Sequence, residues 1–165
     1  MSSEMQPGQQ AVDELRHQRD EGGHIGDCPH VPILTQLSDG KLTSVNNFDG
    51  DTMNRYRLTQ IACGPLCGKF IDGEPNIINL CYYFAHVVEM EAKQGGELID
   101  RVRVVWMDGD GKAMGFVSDF MARETDTILS IFGDGPFRPP LRMEVLKAKS
   151  NRGMTFYTCR PAAFD

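Results

Sequence analysis

IINLCYYFAHVVEM, residues 77–90, decides the fold. The run contains neither Gly nor Pro and is rich in β-branched and aromatic side chains. Its length suits a helix as well as a strand, but local propensity favours strand. RVRVVWM, residues 101–107, alternates: Val102, Val104 and Trp106 share one face, and Arg101 and Arg103 share the other. Asp108-Gly109-Asp110-Gly111 is a hairpin turn, and Lys112–Val117 returns as a third strand in which Gly115 permits a bulge or bend.

A helix follows. Ser118 is an N-cap, Asp119 suits the first turn, and Met121, Thr125, Ile128, Leu129 and Phe132 recur at helical spacing. Gly133 ends it as a left-handed residue. GDGPFRPP is an extended link, and Leu141–Ala148 and Met154–Cys159 form a last hairpin turned by Ser150-Asn151-Arg152-Gly153. A three-strand meander, one short helix and a closing hairpin over residues 75–165 is the element order of an OB-fold. The expected class is therefore mainly β: a five-stranded OB barrel with one helix between its third and fourth strands. Its first strand is long and bent, so that it serves both halves of the sheet.

Upstream, the chain is less ordered in pattern. Residues 1–30 are polar and read as a flexible arm, with one short surface helix at Ala11–Asp20. Residues 31–74 read as an accessory hairpin and loops. VPILTQL and KLTSV flank Ser38-Asp39-Gly40, a hairpin turn signal that makes this an N-terminal extension with a hairpin. Tyr56–Ala62 suits strand or helix, and CGPLCGKFIDGEP is loop.

Composition limits the function. The 165 residues suffice for one core. No apolar run approaches the roughly 18 residues of a membrane span, so no membrane partner is expected. MSSEMQPGQQ has no apolar signal region, and five scattered cysteines suit a reducing compartment, so the expected location is cytoplasmic. Net charge is −6, mildly against a nucleic-acid partner. The distribution is uneven: residues 1–50 carry a balance of −5, whereas from Arg138 onward six bases face Glu144 and Asp165. A basic C-terminal segment fits local phosphate contacts, or a hairpin with ordinary solvated lysines.

Binding single strands requires π-faces for bases and cations along the phosphate path. Tyr82 and Tyr83 are adjacent in one strand, as are Phe156 and Tyr157, so one of each pair points outward. The stacking candidates are Tyr82 or Tyr83, Phe116 and Tyr157. The phosphate candidates are Arg101, Arg103, Lys147, Lys149 and Arg152. Outward tyrosines also serve as cross-strand packing pairs, and the two arginines could instead pair with Glu89 and Glu91. Trp106 reads as core. Cys28, His30, Cys63 and Cys67 could supply four zinc ligands, although Cys63-x3-Cys67 lacks the tight spacing of a zinc knuckle. Cys81 and Cys159 read as small core residues. DGDGK at 108–112 resembles a fragment of a calcium loop but lacks the glutamate and the helix–loop–helix frame, and reads as a turn. No triad order, P-loop, HExxH or GxGxxG is present, so neither an enzyme nor a cofactor is expected.

From Ile77 onward the chain resembles small single-stranded DNA-binding proteins of bacteriophages and related mobile elements. The likeness lies in the order INLCYYFAHVVEM, VVWMDGDGK, FVSDFMARETDTILSIFG, GPFRPPLRMEV and KAKSNRGMTFYTC. It implies an OB-fold that coats single-stranded DNA during phage replication, with little sequence preference; the expected function is single-stranded DNA binding in replication or recombination, and self-association along the DNA is a further partner to test. Residues 1–74 have no counterpart, and RPAAFD is not the long acidic, glycine-rich tail of the bacterial housekeeping proteins. The alternative is an OB-type protein-interaction module of a viral or replication complex, its barrel face covered.

Overall fold

A computed structural model describes residues 30–38, 40–92 and 95–163. The chain divides into two units, residues 1–31 and residues 32–165, and every element below lies in the second. The expected arm helix at Ala11–Asp20 falls outside the described residues.

The decisive run is strand, as its propensity predicts, but it is two strands. β2 (Asn76–Leu80) and β3 (Tyr82–Glu91) flank Cys81 and enter different sheets. Cys81 is the switch: its N–H donates to Met107 O at 2.9 Å, and its carbonyl accepts from Phe137 N at 3.0 Å. One sheet has the order β1–β3–β4–β5, where β1 is Ser44–Asn46, β4 Leu98–Met107 and β5 Ala113–Val117. The other has the order β2–β6–β7, with β6 Leu141–Lys149 and β7 Thr155–Pro161. All ladders within both sheets are antiparallel. The architecture is mainly β, with seven strands rather than five among the described residues, and no pairing there closes the two sheets into a barrel. Where closure would join β5 to β7, the loop after residue 64 intervenes. Gly68 N donates to Ala113 O at 2.9 Å, and Gly115 N donates to Gly68 O at 3.0 Å.

The accessory hairpin is not formed. Residues Ile33–Ser38 are a helix, α1, and only Ser44–Asn46 is strand, paired with Phe84–His86 of β3. Ile33 and Leu37 lie four apart, so a helical turn places both in the core, and Ile33 N donates to Asp126 Oδ1 at 3.0 Å. Tertiary docking thus overrides the β-branched, Asp-Gly signal of the sequence. Tyr56–Ala62 lies within a second helix, α2 (Thr52–Cys63). Asp51 caps it, accepting from Asn54 N at 2.8 Å. Gly64 and Pro65 end it; a Cβ at Gly64 would lie 2.5 Å from Gln60 O.

The third helix, α3 (Asp119–Phe132), forms as its stripe requires. Ser118 Oγ accepts from Met121 N at 3.2 Å, and Met121, Thr125, Ile128 and Leu129 are buried. Phe132 leaves the stripe and is exposed, its ring edge-on to Phe137. Gly133 has φ +92. The main core lies between the sheets and beneath α1 and α3. It takes Ile78, Leu80 and Val145 from one sheet and Tyr83, Val104 and Trp106 from the other. Trp106 is the largest fully buried side chain; its Nε1–H donates to Thr125 Oγ1 at 3.0 Å, and that hydroxyl donates to Met121 O at 2.7 Å.

Candidate functional site

Strand alternation sends Tyr83 inward and Tyr82 outward, one to each face as the parity argument requires. Neither is open to solvent. Tyr83 lies in the main core opposite Trp106, and burial raises its hydroxyl pKa. Phe116 is also interior, edge-on to Trp106. These two are therefore core residues rather than an open stacking surface. Tyr82 is on the outer face, but that face is covered.

The cover is α2. A second apolar cluster joins Leu58 and Ala62 of the helix to Tyr82, Phe84, Val105 and Met107 of the sheet. The sheet side of this cluster is aromatic at Tyr82 and Phe84, and the loop before α2 adds Phe48. Phe48 stacks on Phe84 with centroids 5.9 Å apart and meets Tyr82 edge-on at the same distance, and His86 continues the row beyond Phe84 at 5.1 Å. Tyr82 OH donates to Asp49 Oδ1 at 3.0 Å and accepts from Arg138 Nη2 at 3.1 Å, while Arg138 Nη1 pairs with Asp49 at 2.8 Å. Burial, and then the Asp49 carboxylate, push the Tyr82 hydroxyl pKa up.

Arg103 fastens the helix. Its side chain crosses Gly115 on the neighbouring strand, and its Nη1 donates to Ala62 O at 2.8 Å. α2 has no basic residue in its own last turn, so this guanidinium supplies the cation that a helix C-terminus favours. Nη1 also lies 3.3 Å from His86 Nε2, and Nη2 lies 3.2 Å from Cys67 Sγ. Burial, and then the Arg103 charge, hold His86 below the ordinary histidine pKa. Burial raises the Cys67 thiol pKa, with Arg103 opposing. Arg103 is thus engaged within the fold. Arg101 faces Val88 across the ladder rather than Glu89, and it lines a cavity of about 400 Å³ with Leu34, Leu37 and Val102.

The remaining candidates gather on the β6–β7 hairpin. Lys147 and Tyr157 are register partners. The Tyr157 ring lies 5.5 Å from both Phe70 and Phe116, and Lys147 Nζ sits 5.1 Å from the Phe70 centroid and 5.8 Å from that of Tyr157. Lys147 also pairs with Asp72 at 2.9 Å, which raises its pKa. Exposed pairs of this kind contribute about 0–1 kcal/mol, so a phosphate can exchange for the carboxylate at little cost. The loop carrying Phe70 and Asp72 is braced by buried Asn76, which accepts from Ile71 N at 2.7 Å and donates to Ile71 O and Glu74 O at 2.9 and 2.8 Å. Lys149 is exposed beside Lys147, Arg152 is exposed in the turn, and no acid occurs between Val145 and Ala163.

The candidates therefore fall into two groups on two sheets: Tyr82, Arg101 and Arg103 on β3 and β4, and Lys147, Lys149, Arg152 and Tyr157 on the hairpin. Phe70, Phe48 and Phe84 join these two groups in space and are not among the candidates the sequence offers. Phe84 follows from the parity of Tyr82, whereas Phe48 and Phe70 sit in loops and carry no periodic signal. Of the possible zinc ligands, Cys28 lies outside the described residues. Among the described residues, no three His, Cys, Asp or Glu side chains are grouped to hold a metal ion, and no helix is long and apolar enough to cross a membrane. Searches of protein-family models, curated proteins and solved structures give no match to this chain.

Proposed function

We propose that this chain is a non-catalytic OB-type module that binds single-stranded DNA with little sequence preference. The observation that carries the proposal is the β6–β7 hairpin. There the half-buried ring of Tyr157 and, from the neighbouring loop, that of Phe70 share a lysine, and Lys149 and Arg152 extend the positive charge toward the tip. Rings for bases beside cations for phosphates are what non-specific single-strand binding requires. The connectivity is in keeping with this reading. If β2 and β3 count as one strand bent at Cys81, the pairings β2/β3–β4–β5 and β2–β6–β7, with α3 between β5 and β6, follow the OB order short of closure. The resemblance to phage single-stranded DNA-binding proteins suggests DNA replication or recombination as the setting, with self-association along the strand.

The test is fluorescence anisotropy of a labelled oligo-dT across a salt series. Labelling the DNA is preferable to following Trp106, which is fully buried on the core side. Stacking is worth about 1–3 kcal/mol per base, so Tyr157→Ala should weaken binding about tenfold and leave the salt slope unchanged. Lys149→Ala should flatten the slope by about 0.7. If both folded variants bind like the parent, the hairpin is not the DNA site. The second reading, a protein-interaction module, then takes precedence. It has its own support in the cover that α2 places over the sheet face.

A further inference from the structure

α2 is a light cover over an unusual surface. Of its twelve residues only Leu58 and Ala62 are buried. Ile61 is half-buried against the same cluster, Met53 and Tyr56 are exposed, and the remaining positions are polar apart from the exposed Cys63. Beneath it lie the rings of Tyr82 and Phe84, with His86 at the end of the row, on the same outer face as Arg103, and Phe48 from the loop before the helix packs on both rings. Rows of rings flanked by cations are stacking platforms for single strands. A helix held by one leucine, one alanine, a half-buried isoleucine and one guanidinium is a modest competitor for that platform.

We infer that α2 is an autoinhibitory cover: single-stranded DNA displaces it and continues from the hairpin onto the Phe48–Tyr82–Phe84 row. Arg103 is the latch. In the closed form its guanidinium is satisfied by the Ala62 carbonyl, and in the open form it exchanges that acceptor for a phosphate. The exchange is of like for like, an oxygen acceptor on a charged donor, and the phosphate is the stronger partner because it is itself charged. The apparent affinity for DNA is then the intrinsic affinity reduced by the fraction of molecules that are open. This inference rests on the single-strand reading above and adds a covered half to that site, with the helix as its regulator.

The test exploits a sign that a purely structural role for α2 cannot produce. Leu58→Ala removes the main apolar anchor of the cover, so the variant should unfold at lower temperature yet bind labelled oligo-dT at least about fivefold tighter than the parent. Ala62→Gly loosens the same helix with almost no change in packing volume and should move both quantities in the same directions. It keeps the test decisive if Leu58→Ala does not fold. In the parent, backbone amides of residues 53–63 should exchange hydrogen faster with oligo-dT bound than free. If the parent binds but neither variant binds tighter, and those amides keep or gain protection, α2 is a fixed part of the fold and the inference fails while the single-strand reading stands. If parent and variants alike fail to bind at low salt, the single-strand reading itself is lost. A silent parent beside a binding Leu58→Ala variant would support a cover that is tightly shut.

Discussion

Gly115→Ala tests the contact on which the sheet's outer face depends. A Cβ at 115 would lie 2.6 Å from Arg103 Nη2 and 3.0 Å from its Cζ. The arginine is flexible and can swing aside, so the cost is not the clash itself but the bonds that the swing breaks, chiefly Nη1 to Ala62 O at 2.8 Å. A hydrogen bond with one charged partner contributes about 1.5–3 kcal/mol, which bounds the loss, and Arg103→Ala should cost about the same. Once Arg103 is gone the glycine has nothing to accommodate. In that background Gly115→Ala should be neutral, or stabilising by up to about 1 kcal/mol, through the reduced entropy of the unfolded chain. The double-mutant cycle should therefore return a coupling of about 2 kcal/mol, within the range for residues in contact. Urea unfolding followed by Trp106 fluorescence and far-UV circular dichroism gives the four free energies, provided the slopes agree. The reasoning is refuted if Gly115→Ala costs the same in both backgrounds. A glycine needed for its own backbone, as a bulge or barrel bend would need it, gives that result.

Two further outcomes follow from the buried polar groups. Thr125→Val keeps the volume but deprives the Trp106 indole N–H of its acceptor in a fully buried site, so urea unfolding should show a loss of about 1–3 kcal/mol. For His86 the folded pKa lies below the ordinary 6.5 because burial and then Arg103 disfavour the charged ring. The unfolded chain therefore takes the proton first as pH falls. The histidine's contribution to stability is intact above about pH 6.5 and is lost as pH drops toward the folded pKa, and in a thermal-melt series His86→Gln should make that decline shallower.

The parts of the fold legible in the sequence are those settled by neighbours along the chain. Ser118 caps α3 because an N-cap needs only the amide three residues on. Asp108 closes its turn by accepting from Asp110 N and Lys112 N, and Gly153 turns the last hairpin with φ +79. The alternation of β4 correctly separates Trp106 from Arg103. Strand parity likewise puts Tyr82 and Tyr83 on opposite faces. Whether an outward ring meets water is a different matter, because that depends on what another segment places over it. The break at Cys81 has no local marker: no Gly or Pro interrupts IINLCYYFAHVVEM, and the switch between sheets is made by Met107 and Phe137 from elsewhere in the chain.

The sequence leaves α2 undecided between strand and helix for a physical reason that bears on its role. A helix that packs firmly on a sheet advertises itself by a broad apolar stripe, as α3 does with Met121, Thr125, Ile128 and Leu129. α2 fully buries only Leu58 and Ala62, with Ile61 half-buried beside them, a stripe of a single turn that is too short to separate helix from strand. The same scarcity of apolar contact that leaves the helix ambiguous in the sequence also limits how strongly the native state holds it, because burial area sets both the pattern and the free energy. The surface beneath shows the opposite. Phe48, Tyr82 and Phe84 are large rings whose exposure to water would be costly. A strongly apolar platform under a weakly apolar cover is a local mismatch, and mismatches that persist in a folded chain are found where function requires them. On the proposed single-strand reading, a stacked base would take the place of Leu58, Ile61 and Ala62 over these rings and bring its own phosphate for Arg103. Opening, on that reading, would require no new contact surface, only a competitor for the one that α2 occupies.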